Sequence, residues 1–338
     1  MIIKRILIVG LGSIGTRHLK ILNGLFPEAE FAILSNKKNS QLINNVSYFE
    51  NIEQALLFLP QIAVISTPSM FHLESAIPLA KIGVHLLIEK PLSSSVEGVA
   101  ELQQINISTN VKMTIGYNLR FMPSLIKFKA LIDENTIGKV FSIRCEAGQY
   151  LPSWRPGKNY KEAASSQKNL GGGVLLELSH ELDYLHWIFG EVEWIQASLN
   201  TLSDLDIDVE DTAFLLLGFR SEKHVKPIIA SVNLDFVRHD VKRSCTAIGR
   251  FGSLRWDCLK GTIHVYFENS KSWKEIFKQE ENLDDSYIFE WKHFISSIET
   301  NRDPLISINE GLKVLEIIEA ARFSSSKNQR VYLKDNHE

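Results

Sequence analysis

Between residues 6 and 115 the chain alternates short β-branched apolar runs with longer amphipathic stretches, and this alternation constrains the fold more than any other feature. The runs Ile6–Val9, Phe31–Leu34, Ile62–Ser66, Val84–Ile88 and Val111–Ile115 read as strands. Helices are expected over Ile14–Asn23, Ile52–Phe58, Met70–Ile82 and Val96–Ile107. Strands that are apolar throughout belong in a parallel sheet covered on both faces, because parallel neighbours need a crossover long enough to carry a helix. Right-handed crossovers then give an α/β fold with a doubly wound sheet. Pro68 and Pro91 each follow a strand end, where a missing N–H stops the ladder.

After residue 120 the texture changes. A polar, aromatic loop (residues 150–173) leads to a helix expected over Val174–Phe189, and strand-like runs follow from Val192 to Phe267. Consecutive runs of this kind predict an antiparallel sheet. Helices over Tyr287–Thr300 and Asn309–Ser324 close the chain, with Leu312, Leu315, Ile318 and Ala321 at helical spacing. At 338 residues the chain suits two domains. They are expected at 1–120 and 121–338, with the C-terminal helix free to pack back on the first.

Charge excludes some partners. Thirty-seven Lys and Arg against 40 Asp and Glu leave a net charge of −3, so no basic field recruits nucleic acid or a membrane surface. A small molecule is the expected partner. The apolar N-terminal run is broken by Lys4 and Arg5 and ends at Gly10, too short for a signal sequence or a membrane span. Cys145, Cys245 and Cys258 are odd in number and widely spaced, which suits neither a disulfide framework nor a metal site and fits a reducing cytoplasm.

The segment GLGSIG follows the first strand and opens the first helix. Gly10 would permit the turn, Gly12 would let backbone approach a pyrophosphate, and Gly15 would let helix pack on sheet. A dinucleotide site is the reading, against a purely structural turn. At the end of the second strand, where an NAD site usually carries an acid for the ribose, the chain has Ser35, Asn36, Lys37 and Lys38. Cations and small polar groups suit a 2′-phosphate, which favours NADP over NAD; a solvated loop is the plain alternative. Lys90 closes the run LLIEK at a strand end, on the edge where such sheets bind ligands. It can polarise a carbonyl or orient a hydroxyl there, or simply be solvated.

The ordered set GLGSIG, STPSMFH, GVHLLIEKPL, GYNLRF and GGGVLLELSHELDYLHWIFG resembles the glucose-fructose oxidoreductase, inositol dehydrogenase and rhizopine-catabolism (Gfo/Idh/MocA) family over essentially the whole chain. The resemblance implies an N-terminal Rossmann domain and a C-terminal α/β domain whose open sheet often serves oligomer contact, hence a homo-dimer or homo-tetramer. It also implies nicotinamide-dependent redox chemistry on sugars or polyols. By position, Lys90 matches the family's catalytic lysine, His180 its proton donor or acceptor, and Asp183 the acid one turn beyond. Together with the glycines, the expected cofactor set is Gly10, Gly12, Ser13, Ile14, Gly15, Ser35, Asn36, Lys37, Thr67, Pro68, His72, Glu89, Lys90 and Asn118. The commoner family helix has an Asp four residues before the His; here Glu177 precedes His180 by three. On a continuous helix Glu177, His180, Asp183 and Tyr184 would lie close to one face. A surface Asp–His pair is the bland alternative.

The loop before that helix combines Tyr150, Trp154, Arg155, Lys158, Tyr160 and Lys161. Aromatic planes stack on a sugar ring or a base and cations hold a carboxylate or phosphate. With Arg120, Glu177 and His180, the loop residues Trp154, Arg155 and Tyr160 form the expected substrate set for an anionic sugar derivative, such as a nucleotide sugar or sugar acid. The loop is similar to family members associated with surface-glycan sugar biosynthesis; an ordinary surface loop is the alternative. Two rival functions are a reductase of a non-sugar substrate and a cofactor-sensing regulator without activity. Retention of Lys90 and His180 favours catalysis.

Overall fold

The computed structural model describes residues 3–35, 46–221, 227–280, 282 and 284–333. They form two compact units: Met1–Asn118 with Asp284–Leu315, and Leu119–Leu283 with Glu316–Glu338. Among the described residues no helix is long and apolar enough to cross a membrane.

The first unit is built on six strands: β1 (Arg5–Val9), β2 (Glu30–Leu34), β3 (Val46–Phe49), β4 (Ile62–Ile65), β5 (His85–Glu89) and β6 (Met113–Gly116). All pair in parallel, in the order β3-β2-β1-β4-β5-β6. The order reverses between β1 and β4, which opens a crevice at the carboxyl ends of these strands. Helices α1 (Ser13–Leu25), α2 (Ile52–Leu57), α3 (His72–Lys81) and α4 (Val99–Thr109) make the crossovers. Ile6, Leu7, Ile8, Val64, Leu86 and Leu87 are fully buried, as strands covered on both faces require. The strand β3 is not expected from sequence: its four residues VSYF are only half-buried, so they lack the apolar run that marks the inner strands.

The second unit carries a nine-stranded mixed sheet. Its strands are β7 (Val140–Gly148), β8 (Val192–Asn200), β9 (Thr212–Phe219), β10 (Ile229–Asp235), β11 (Lys242–Gly249), β12 (Gly252–Asp257), β13 (Thr262–Phe267) and β14 (Lys274–Lys278), joined at one edge by β15 (Val331–Tyr332). Only β7 and β10 pair in parallel. Period-2 alternation is clear in β9, which buries Ala213, Leu215 and Leu217 and exposes Phe214 and Leu216.

Its helices are α5 (Pro123–Asp133), α6 (Val174–Glu177) and α7 (His180–Phe189). The single helix expected over Val174–Phe189 is therefore two, with Leu178 at φ −101° and ψ 32° between them. Apolar spacing continues through the break, and for that reason the sequence does not show it.

Helix α8 (Asp285–Thr300) belongs to the first unit, not to the one that precedes it in the chain. Its Trp291 and Phe294 join the core of Ile6, Ile8, Leu19, Leu22 and Ile33. The boundary between the units recurs at Leu315 within α9 (Ile308–Lys327). Gly311 at the start of α9 sits tight on the first unit, where an added Cβ would lie 2.8 Å from Ile115.

Candidate active site

In the first unit three neighbouring strand ends share one edge. After β1 the chain turns at Gly10, with φ +91°, and an added Cβ there would lie 2.8 Å from the Ser66 carbonyl and the Thr67 nitrogen. At Gly15 a Cβ would overlap the Gly10 carbonyl oxygen. Gly12 differs, because no described residue lies within 4 Å of the position its Cβ would take. It is also the N-cap of α1, which has no side-chain cap and no acid in its first turn. The first amides of α1, from Ser13 and Ile14 onward, stand at the positive end of the helix dipole, which is chemistry suited to a pyrophosphate.

After β4, the Ser66 hydroxyl lies 2.9 and 2.8 Å from the Val9 and Gly10 carbonyls and ties the strand to the glycine turn. Thr67 Oγ1 is buried and has no hydrogen-bond partner among the described residues, as a hydroxyl waiting for a ligand would be. His72 is buried behind this loop: Nε2 lies 2.9 Å from the Thr67 carbonyl and Nδ1 3.0 Å from the Pro91 carbonyl. It links the ends of β4 and β5 through backbone. Burial lowers its pKa, against hydrogen bonds and the Glu89 charge that raise it.

At the end of β5, Glu89 is buried and makes two contacts. Oε1 meets His18 Nε2 at 2.7 Å, and Oε2 accepts the Lys90 backbone N–H at 3.1 Å. His18 Nδ1 in turn accepts the Trp291 indole N–H at 2.9 Å. Half-buried Lys90 and buried Pro91 follow directly, joined by a cis peptide bond. Asn118, after β6, donates to Ser286 Oγ at 2.7 Å. Ser35 donates its amide to the Phe49 carbonyl; Asn36 and Lys37 lie outside the described residues.

The second unit supplies α7. His180 at its start is 8% exposed, and Glu181 and Asp183 are fully buried. Two buried carboxylates need partners, and two arginines provide them. Arg120, 1% exposed, grips Asp183 through Nε (3.1 and 3.0 Å) and Nη2 (2.8 Å), with its guanidinium 5.5 Å from the centre of the Trp187 ring. Arg243 Nε lies 2.8 Å from Glu181. Burial alone would lower the Arg243 pKa, but the Glu181 charge, the nearby Cys258 and Tyr184 and the hydrogen bond to Glu181 together raise it. Arg120 is thus a buried partner of Asp183. Both carboxylate oxygens of Asp183 accept from that guanidinium.

Glu177 lies across the helix break from His180 and accepts from Ser165 Oγ at 3.0 Å. In the loop, Trp154 is an anchor, donating to the Gln149 carbonyl with its ring edge-on to Phe236. Tyr160 accepts the Asp206 N–H at 3.3 Å, while Arg155 and Lys158 are exposed.

Sequence reasoning missed His18, Trp291, Ser286 and Arg243. His18 has a readable signal, a polar residue on the apolar face of α1 beside Leu19 and Leu22. Trp291 is 273 positions from its partner, and no local pattern joins them.

Residues 4–117 match the family described as an oxidoreductase family, NAD-binding Rossmann fold (Gfo/Idh/MocA), and residues 129–333 match its C-terminal alpha/beta domain. The chain is 26% identical to myo-inositol 2-dehydrogenase of Thermotoga maritima over 98% of its own length and 99% of the relative's. Levoglucosan dehydrogenase, solved with NADH and L-sorbose, shares the fold at TM-score 0.85 and 19% identity, over 98% of this chain and 99% of that one. The WlbA dehydrogenase of Bordetella pertussis, solved with NADH and UDP-GlcNAcA, shares it at TM-score 0.82 and 21% identity, over 99% and 100%.

Proposed function

The chain belongs to the Gfo/Idh/MocA oxidoreductase family, and from that premise we propose that it moves a hydride between NAD(P) and a hydroxyl or keto carbon of a sugar derivative in the cytoplasm. One observation carries the reading. The adjacent ends of β1, β4 and β5 present the open Gly12 turn, the unpartnered Thr67 hydroxyl and Lys90 along one edge. Two strand spacings, about 10 Å, separate the turn from the lysine, a span that suits the distance from pyrophosphate to nicotinamide.

NAD(P), when bound, supplies the hydride acceptor or donor. Gly12 and the first amides of α1 hold its pyrophosphate, and Thr67 offers its hydroxyl. The Lys90 ammonium holds the substrate oxygen and stabilises negative charge as it develops. His180 takes the hydroxyl proton in oxidation and returns it in reduction, work that suits an imidazole. Asp183, locked by Arg120, is a positioning residue for the start of α7.

The finer choices are also proposals. Ser35, Asn36 and Lys37, with no acid among them, suit a 2′-phosphate and favour NADP over NAD. Trp154, Tyr160 and exposed Arg155 suit an anionic sugar, either a nucleotide sugar or a sugar acid, with a place in surface-glycan biosynthesis. Such a substrate is in keeping with the UDP-sugar named for the WlbA relative. Exposed Phe214 and Leu216 suit cover by a second copy of the chain, in a dimer or tetramer.

The test is a turnover screen with NAD and NADP in both redox states against free sugars, polyols, sugar acids and nucleotide sugars. Turnover with a nucleotide sugar or sugar acid, lost by two or more orders of magnitude in Lys90→Ala and His180→Ala with cofactor binding intact, is the expected result. Tight cofactor binding without turnover across the panel would overturn it.

A further inference from the structure

Three buried polar side chains, from the glycine-turn helix α1, from the end of β5 and from α8, meet in series beneath Lys90 in the first unit. Trp291 and His18 are fully buried, and Glu89 is 7% exposed. The direction of each hydrogen bond follows from chemistry. An indole N–H only donates, so His18 Nδ1, 2.9 Å away, is an acceptor. A neutral imidazole has one N–H, which must then be on Nε2, and it points at Glu89 Oε1 at 2.7 Å. Glu89 Oε2 accepts the Lys90 backbone N–H. Glu89 is therefore a double acceptor, a task that a carboxylate performs and an amide cannot.

The surroundings leave the imidazole little freedom. Trp291 and Tyr287 both stand edge-on to the ring, at centroid distances of 5.8 and 5.7 Å. Gly116 lies against the carboxylate, and a Cβ there would come within 3.1 Å of Glu89 Cδ and Oε2. The same α1 whose first turn faces the open side of the glycine turn thus reaches, through His18, the backbone of the strand-end lysine.

We infer that His18 and Trp291 are positioning residues: the indole fixes His18 as its Nε2–H tautomer, which holds Glu89 in place and, through it, the backbone of Lys90. The inference rests on the reading of Lys90 as catalytic. It adds residues that make no contact with substrate and sets α8, from late in the chain, under the reacting edge.

The test begins with the unmodified full-length protein. Side-chain nitrogen NMR of the histidines, with His18 assigned by its absence from His18→Gln, is expected to show the Nε2–H tautomer. In Trp291→Phe the fixed tautomer signature is lost and kcat falls by about 10- to 100-fold, while the NADH dissociation constant stays within about threefold. A glutamine can accept from the indole and donate to the carboxylate, so His18→Gln keeps most of the turnover that His18→Leu loses. Glu89→Gln satisfies only one of its two contacts and loses turnover as His18→Leu does. An Nδ1–H tautomer in the unmodified protein, or full turnover in His18→Leu, would overturn the inference. Full turnover in Lys90→Ala would instead overturn the functional reading, with the tautomer still decided by the spectrum.

Discussion

Arg120 and Asp183 form a buried ion pair that the sequence does not announce. Both are charged, both lie in motif segments, and the sequence leaves open which of them meets solvent. The structure buries both, at 1% and 0% exposure, and a bidentate pair in that setting is held by geometry as much as by charge. Removing only the cation strands the carboxylate. Arg120→Met is expected to cost about 3–5 kcal/mol in urea denaturation, and Arg120→Met with Asp183→Leu to recover most of it. The glycines divide in the same physical way. A methyl at Gly15 meets backbone, so Gly15→Ala should cost about 1–3 kcal/mol. Gly12→Ala meets nothing among the described residues, so stability should stay within about 0.5 kcal/mol while NADH affinity drops by about tenfold or more. Thermal melts and a fluorescence titration on the same two variants check both statements.

Among the elements, the inner strands were the easiest to read and the helix breaks the hardest. The strand β4, and β1 after Arg5, are buried on both faces, so their residues are apolar without interruption. The break between α6 and α7 falls at Leu178 and Ser179, residues that fit either conformation. It matters for the candidate site because it falls between Glu177 and His180. Helix α8 is the other surprise. Its amphipathic pattern predicts a helix, but the surface it covers belongs to strands more than 200 residues earlier. A fragment of residues 1–118 therefore lacks Trp291 and Phe294 from its core. It is expected to show helical circular dichroism without cooperative melting, and a fusion of 1–118 to 284–315 to melt cooperatively. Cooperative melting of the shorter fragment would refute this.

For the whole molecule, the buried histidines set a pH limit. Burial lowers the pKa of His72, His85 and His293, all in the first unit, from the ordinary 6.5. A histidine whose folded pKa is depressed binds its proton more readily when unfolded, so its contribution is complete above pH 6.5 and is lost as pH falls through the folded values. Stability should therefore decline below about pH 6.5, and hydrogen exchange should rise first in peptides of the first unit; equal loss in both units would contradict this. The sequence by itself determined the class of the fold, the glycine turn and the strand-end lysine. Each of these is written in local periodicity or in residues a few positions apart, where short-range sterics and burial decide the outcome. Only the tertiary structure decided which charges are buried, that Arg120 holds Asp183, and that Trp291 and His18 lie under Glu89. Those pairings join residues 63 to 273 positions apart, and they depend on packing and desolvation that no local pattern records.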